Sequence, residues 1–266
     1  MSKKFWDFLD DRVKGREKNV PWHVNDKLKA YKFLTENDIP TPKLLKVYDH
    51  PDEIQMGALP QNFCLKPSNM HSANGVLPLY KVTDQLYFDR LRKRFISEAA
   101  IFREQQRVFD LCQYKSTYKI LVEESFGHPR NSLLIPPDYK FYTFGNKVGL
   151  IIQIDRNTDI PNIAFFNEKF EPLENRDVIF GNLSASKHGH AEIPLAAEKM
   201  LEFASRVPKL LNTPFVSVDM YSVKSGAFVG EITPAPGGPY YKKVFELLPE
   251  YDDLLGNMWT EALRDY

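Results

Sequence analysis

FVSVDMYSVKSGAFVGEITPAPGG, residues 215–238, brings two carboxylates, Asp219 and Glu231, to where one metal ion can lie between them. Val216, Val218 and Met220 alternate with Ser217, Asp219 and Tyr221, the period of a half-buried strand. A second strand is expected over 227–233. Lys224, Ser225 and Gly226 then form a three-residue hairpin loop, with glycine where φ must be positive. That register sets Asp219 opposite Glu231 and puts Thr233 on the same face. Like charges paired across a sheet destabilise it unless something compensates them. A divalent cation is the compensation the pattern points to; two solvent-facing acids on a plain hairpin are the alternative. The run Pro234-Ala235-Pro236-Gly237-Gly238 is stiff and suits a pocket wall.

Around this hairpin the chain has an ordinary globular composition. Its 266 residues hold 35 Lys plus Arg against 35 Asp plus Glu, so no global field favours nucleic acid or an anionic membrane. The charged start, MSKKFWDFLDDRVKGREK, lacks a signal-peptide core. No apolar run approaches the ~20 residues that span a bilayer. Cys64 and Cys112 form no CxxC pair, which argues against a disulfide framework or structural zinc and fits a reducing cytoplasm. His188 and His190 fall in a stretch that reads as loop.

Residues 3–15 read as an amphipathic helix, with Phe5, Trp6, Phe8 and Leu9 on its apolar side. Asn25 or Asp26 caps a second helix ending near residue 37. Strands are expected at 44–48, 63–66, 76–80 and 120–124, with a long helix over 83–111. Residues 139–144 and 148–155 form a hairpin around Gly145-Asn146. Residues 156–190 are irregular except for a strand at 162–167. Helices follow at 194–211 and 244–265, the last broken at Pro249. Strands in the middle flanked by helices give an α+β class with mostly antiparallel sheet.

Four further pieces carry chemistry. Lys66 ends a strand before a loop of small residues, 67–75, whose backbone N–H groups and ammonium suit phosphate. This is not the GxxxxGK[ST] loop, and an exposed lysine before a surface turn is the alternative. The strand ILVEE runs into Glu123-Glu124 and then Ser125-Phe126-Gly127, as at a hinge that reads adenine or a strand that becomes solvated. In Asp138-Tyr139-Lys140-Phe141, alternation places Asp138 and Lys140 on one face. At Asp155-Arg156 the guanidinium fork can take a carboxylate or an acyl phosphate, or stay in water.

The order of these pieces, in FCLKPSNMHSANGV, ILVEESF, PPDYKFYTFGNKVGLIIQIDRN and the opening hairpin, resembles the ATP-grasp superfamily. NDKLKAYKFLTENDIPTPKLL is similar to the helix that precedes that fold. The DYKF and GEIT-x-x-PG pieces look like its TupA-like branch, associated with teichuronopeptide and other surface-polysaccharide biosynthesis. The resemblance implies two α+β subdomains gripping ATP: a leading segment at 1–48, a small subdomain at 49–122 and a large one at 123–266. The family's usual N-terminal domain would be truncated. The acceptor site would then be open, or completed by a homo-oligomer or partner protein.

The resemblance also implies the site. Lys27 and Lys66 would meet the ATP phosphates, and Glu123, Glu124 and the Phe126 backbone the adenine. Asp138 would face the ribose, with Lys140 nearby. Asp219 and Glu231 would bind Mg²⁺, with Thr233 as a third ligand where many relatives carry Asn. Arg156 would face the γ-phosphate or acyl phosphate, its weight raised because Ser217 stands where several relatives carry Arg. The loop after Lys66 holds one glycine where relatives often hold several, so Asn69, Ser72 and Asn74 would replace backbone contacts, and residues 68–75 would act as a lid. The expected activity is cytoplasmic, ATP- and Mg²⁺-dependent ligation of a carboxylate to an amine on a glycan precursor. A sugar or small-molecule kinase and a catalytically reduced assembly subunit are the alternatives.

Overall fold

A computed structural model describes residues 3–70, 73–180, 186–237 and 245–266. Five helices are described: α1 (Phe5–Val13), α2 (Lys27–Glu36), α3 (Glu98–Leu111), α4 (Ala197–Leu210) and α5 (Pro249–Ala262). The first six strands are β1 (Leu44–Tyr48), β2 (Asn62–Pro67), β3 (Leu77–Lys81), β4 (Leu86–Asp89), β5 (Arg94–Ser97) and β6 (Ile120–Glu124). Next come β7 (Asp138–Phe144), β8 (Lys147–Asp155), β9 (Asn162–Phe166), β10 (Pro172–Leu173), β11 (Ile179–Phe180) and β12 (Lys187–His188). The last are β13 (Phe215–Val223), β14 (Gly226–Thr233) and β15 (Glu246–Leu247).

Among the described residues these strands form two principal sheets. One has the order β1-β6-β2-β3-β4-β5, and the other β10-β9-β8-β7-β13-β14 with β12 beside β9. Both are antiparallel along these paths. β11 pairs with β15. The fold class is the expected α+β.

β1, read as part of the leading segment 1–48, is an outer strand of the first sheet, and β6 carries that sheet on to Glu124. The first sheet buries Phe63, Leu65, Leu77, Leu79, Ile120 and Val122 against α3. The second sheet is covered on both faces. Tyr139, Phe141, Val216, Val218 and Met220 pack against α2 and α4, while Tyr142, Phe144 and Phe215 pack against α1 and α5.

The leading helix belongs to this second core. Phe5, Trp6, Phe8 and Leu9 are buried as the amphipathic pattern predicts, and Phe8 stacks on Trp259 at 5.0 Å. Arg12 follows them in. Its guanidinium is fully buried and donates to the carbonyls of Phe215 and Pro234, each at 2.8 Å, and to Glu17. α2 is capped as expected, by the Asp26 side chain accepting from the Leu28 and Lys29 amides at 2.9 and 3.0 Å.

Three expectations are corrected. The long helix read over 83–111 is a hairpin, β4–β5, followed by α3. Buried Asp89 makes the turn by accepting from the Leu91 and Arg92 amides, both at 3.1 Å, and Lys93 takes φ +50°. Ser97 then caps α3, its hydroxyl accepting from the Ala100 amide at 3.3 Å. Pro249 begins α5 instead of breaking a helix, because the first helical position needs no N–H donor.

The third correction concerns the opening hairpin. Val223 pairs with Gly226, so the loop holds two residues, not three. Asp219 still pairs with Glu231, because a bulge at Gly230 restores the lost residue. The bulge also decides which β14 side chains face which way. Phe228 lies opposite Tyr221, while Val229 enters the core opposite Met220.

Candidate active site

A cavity of about 370 Å³ opens between the two sheets. Lys27, Lys66, Glu123, Glu124, Phe126, Asp138, Lys140, Arg156, Asp219 and Glu231 line it. Strand alternation explains several of these positions. Cys64 and Lys66 point in from β2 while Phe63 and Leu65 point into the core, and Asp138 and Lys140 point in from β7 while Tyr139 and Phe141 are buried. Thr233 is half-buried at the end of β14, opposite Ser217, and is not part of the lining. Ser72 lies outside the described residues. Asn69 turns away: its amide donates to the Tyr114 carbonyl at 3.4 Å and it accepts from Cys112 Sγ.

Four of the five acids that line this cavity are matched with cations. Lys66 Nζ lies 2.7 Å from Glu123 Oε2, with both side chains buried. Arg156 pairs with Asp138, and Lys140 with Asp219. Lys27 Nζ lies 3.8 Å from Glu231 Oε1 and donates to the Met70 carbonyl at 2.7 Å. The register places Lys140, Asp219 and Glu231 in one row across β7, β13 and β14. With Lys27 beyond Glu231, the row runs plus, minus, minus, plus. The like-charge repulsion inferred from the sequence is thus balanced by two lysines in the ligand-free chain.

Burial sets the titration of these groups. It pushes the Asp219 carboxyl above its usual range, against the pull of Lys140. It depresses the Lys27 ammonium and the Arg156 guanidinium. Burial opposes charge on Lys66 and Lys140 too, but the neighbouring Glu123 and Asp219 carry both pKa values above normal. The Cys64 thiol is pushed up to about 12, chiefly by burial, which makes it a wall and not a nucleophile.

Other lining residues escaped the sequence reading. Tyr221 lines the cavity, and Phe228 packs at a tilt against Phe126, with ring centroids 4.6 Å apart, just beside it, giving one end an aromatic wall. Glycine inside a strand marks a bulge or a close approach, so Gly230 was the available signal. It serves both ends, since a Cβ there would collide with the Tyr221 hydroxyl. Gly230→Ala is expected to lose about 1–3 kcal/mol of stability by overpacking. Urea unfolding checks this, and an unchanged midpoint would mean Tyr221 moves freely.

The donor set fits a hard cation. Two facing carboxylates plus phosphate oxygens are what Mg²⁺ ordinarily takes. Among the described residues no cluster of three or more His, Cys, Asp or Glu could hold a metal, so a nucleotide would have to complete the shell.

The family model described as TupA-like ATPgrasp matches residues 9–260. The chain belongs to the TupA-like ATP-grasp family. No curated protein matches it. Among solved structures, this TupA-like ATP-grasp chain is similar to D-alanine–D-alanine ligase from Bacillus anthracis, at 18% identity and a TM-score of 0.52 over 91% of this chain and 68% of that one. It is also similar to D-alanine–D-alanine ligase from Helicobacter pylori, at 15% identity and a TM-score of 0.52, over 89% of this chain and 60% of that one. D-alanyl-alanine synthetase A from Vibrio cholerae matches at 13% identity and a TM-score of 0.50, over 91% and 66% of the two chains. At these identities the likeness is one of fold. The TupA-like chain therefore spans three fifths to two thirds of the length of these structures.

Proposed function

We propose that this TupA-like ATP-grasp protein is an ATP- and Mg²⁺-dependent carboxylate–amine ligase. The observation that carries the reading is the cavity between the sheets, where Lys27, Lys66, Lys140 and Arg156 converge on the facing pair Asp219 and Glu231. Four cations of this kind suit a polyphosphate. The apolar, aromatic end at Phe126 and Tyr221 suits a nucleobase, and it lies where β6 leaves the first sheet.

In this reading Lys27 and Lys66 bind phosphate oxygens, while Asp138 turns from Arg156 to the ribose. Glu124, at the mouth of β6, reads the base beside the Phe126 backbone. Asp219 and Glu231 would hold Mg²⁺, which would supply charge neutralisation at the transferring phosphoryl group. Arg156, freed from Asp138, grips the acyl phosphate through its planar fork and holds it for the amine. Closure of the cleft between the sheets would keep water from the acyl phosphate. The family match favours ligation, the outcome that the resemblance to ATP-grasp proteins implies. The substrate class follows the family association: an amino acid or amine joined to a uronic acid or other sugar-linked carboxylate of a surface-polysaccharide precursor, in the cytoplasm.

The test is incubation with ATP, Mg²⁺, pooled nucleotide-sugar uronates and amino acids, read by mass spectrometry. An amide product with stoichiometric ADP is expected, and hydroxylamine should trap a hydroxamate when the amine is withheld. ADP release indifferent to the amine counts against ligation. A stable phosphoester would make the protein a kinase.

A further inference from the structure

Both oxygens of the Asp219 carboxylate are engaged by side chains. Oδ1 accepts from Ser217 Oγ at 3.3 Å, and Oδ2 accepts from Lys140 Nζ. Asp219 is buried, and Lys140 stands directly opposite it on the neighbouring strand. A divalent cation approaching Asp219 would meet an ammonium already in contact with the same oxygen.

We propose that Lys140 keeps a free divalent cation off the Asp219–Glu231 pair and admits it only when a nucleotide's phosphate takes the ammonium. This rests on the ATP reading given above. The two occupants of Asp219 differ in kind. The Ser217 hydroxyl is neutral and can keep its hydrogen bond while a metal binds the other lone pairs. The Lys140 ammonium cannot stay, because it carries the metal's own sign and already occupies Oδ2.

Lys140 also cannot simply withdraw. Leaving Asp219 would place an unpaired ammonium in a half-buried pocket beside an unpaired buried carboxylate. A phosphate oxygen removes both penalties at once. It offers Lys140 an equivalent partner and completes a metal shell that two carboxylates leave unfilled. Lys140 lines the cavity on a four-carbon stem, so the exchange needs a rotamer change and not a backbone shift. Lys27 brackets Glu231 in the same sense, but at 3.8 Å and against a more exposed carboxylate, so its hold is looser. Metal and nucleotide binding are therefore coupled, and by linkage each raises the affinity for the other by the same factor.

The test measures Mn²⁺ binding by electron paramagnetic resonance. Wild type, Lys140→Gln and Lys140→Met are each titrated without nucleotide and with adenylyl imidodiphosphate. Removing the lysine is expected to tighten nucleotide-free Mn²⁺ binding by ~10-fold or more, within the usual range of coupling between sites. Unchanged or weaker nucleotide-free binding in folded variants would overturn the proposal. Melting curves establish folding. A second arm needs no variant: nucleotide-free wild-type crystals soaked in MnCl₂ should show no anomalous peak at Asp219. A peak there beside an undisplaced Lys140 would equally overturn it. If the nucleotide analogue binds and either result goes the wrong way, the lysine gate falls and the ATP reading stands. If the analogue binds under no condition, both fall together.

Discussion

Glu231→Gln is expected to cut turnover by ~10²–10³-fold or more, the scale of losing one preorganised electrostatic contact to a transition state. The carboxylate sits in the charged row between Asp219 and Lys27, and the exchange removes one negative charge while keeping the shape. A hard cation loses one of its two protein carboxylates. The exchange leaves the proposed adenine end at Phe126 untouched, so metal-free nucleotide affinity should hold or tighten, since the row now carries a surplus positive charge. Calorimetry in EDTA and steady-state ADP release read the two effects separately. Turnover within tenfold of wild type would remove Glu231 from the metal site.

Arg12→Met should cost about 3–5 kcal/mol of stability, as for a buried ion pair that loses one partner. No solvent reaches the Arg12 side chain, and it serves three parts of the molecule at once. Nη1 joins the Phe215 and Pro234 carbonyls, which belong to the start of β13 and the exit from β14. Nη2 reaches Glu17 at 2.5 Å and the Thr213 hydroxyl at 3.4 Å, and the guanidinium lies 4.6 Å from the Trp259 ring centroid. Methionine fills part of the volume and none of the polar needs. Urea unfolding gives the magnitude, and hydrogen exchange should rise first at residues 213–217 and 232–235. A loss below ~1 kcal/mol would place Arg12 among ordinary surface residues.

Neither Arg12 nor the charged row could be read from neighbours in the sequence. Arg12 lies on α1, and its partners at Phe215 and Pro234 lie more than two hundred positions away. The apposition of Lys140 and Asp219 depends on β7 lying beside β13, a sheet order that no local pattern encodes. What the sequence did carry was local. β1 and β6 appear with the bounds expected of them, being short apolar runs ending at turn residues or charges. The alternation in Asp138-Tyr139-Lys140-Phe141 likewise assigned faces correctly.

The failures have equally local causes. The β4–β5 turn holds no glycine or proline and was absorbed into a helix; its geometry comes from the Asp89 carboxylate and from Lys93 at positive φ. In the acidic hairpin two errors cancelled. One residue too many in the loop was offset by one residue missed at the bulge, so Asp219 and Glu231 face each other as expected.

The loop after β2 has feet on both halves of the molecule. Met70 accepts from Lys27, whose helix packs with the second sheet, while Gly75 and Val76 accept from Gln105 of α3 and Arg92 of the β4–β5 turn. A change in the spacing of the sheets would therefore be felt at two places that the chain keeps close in sequence: the Met70 contact with the second half, and the Gly75 and Val76 contacts with the first.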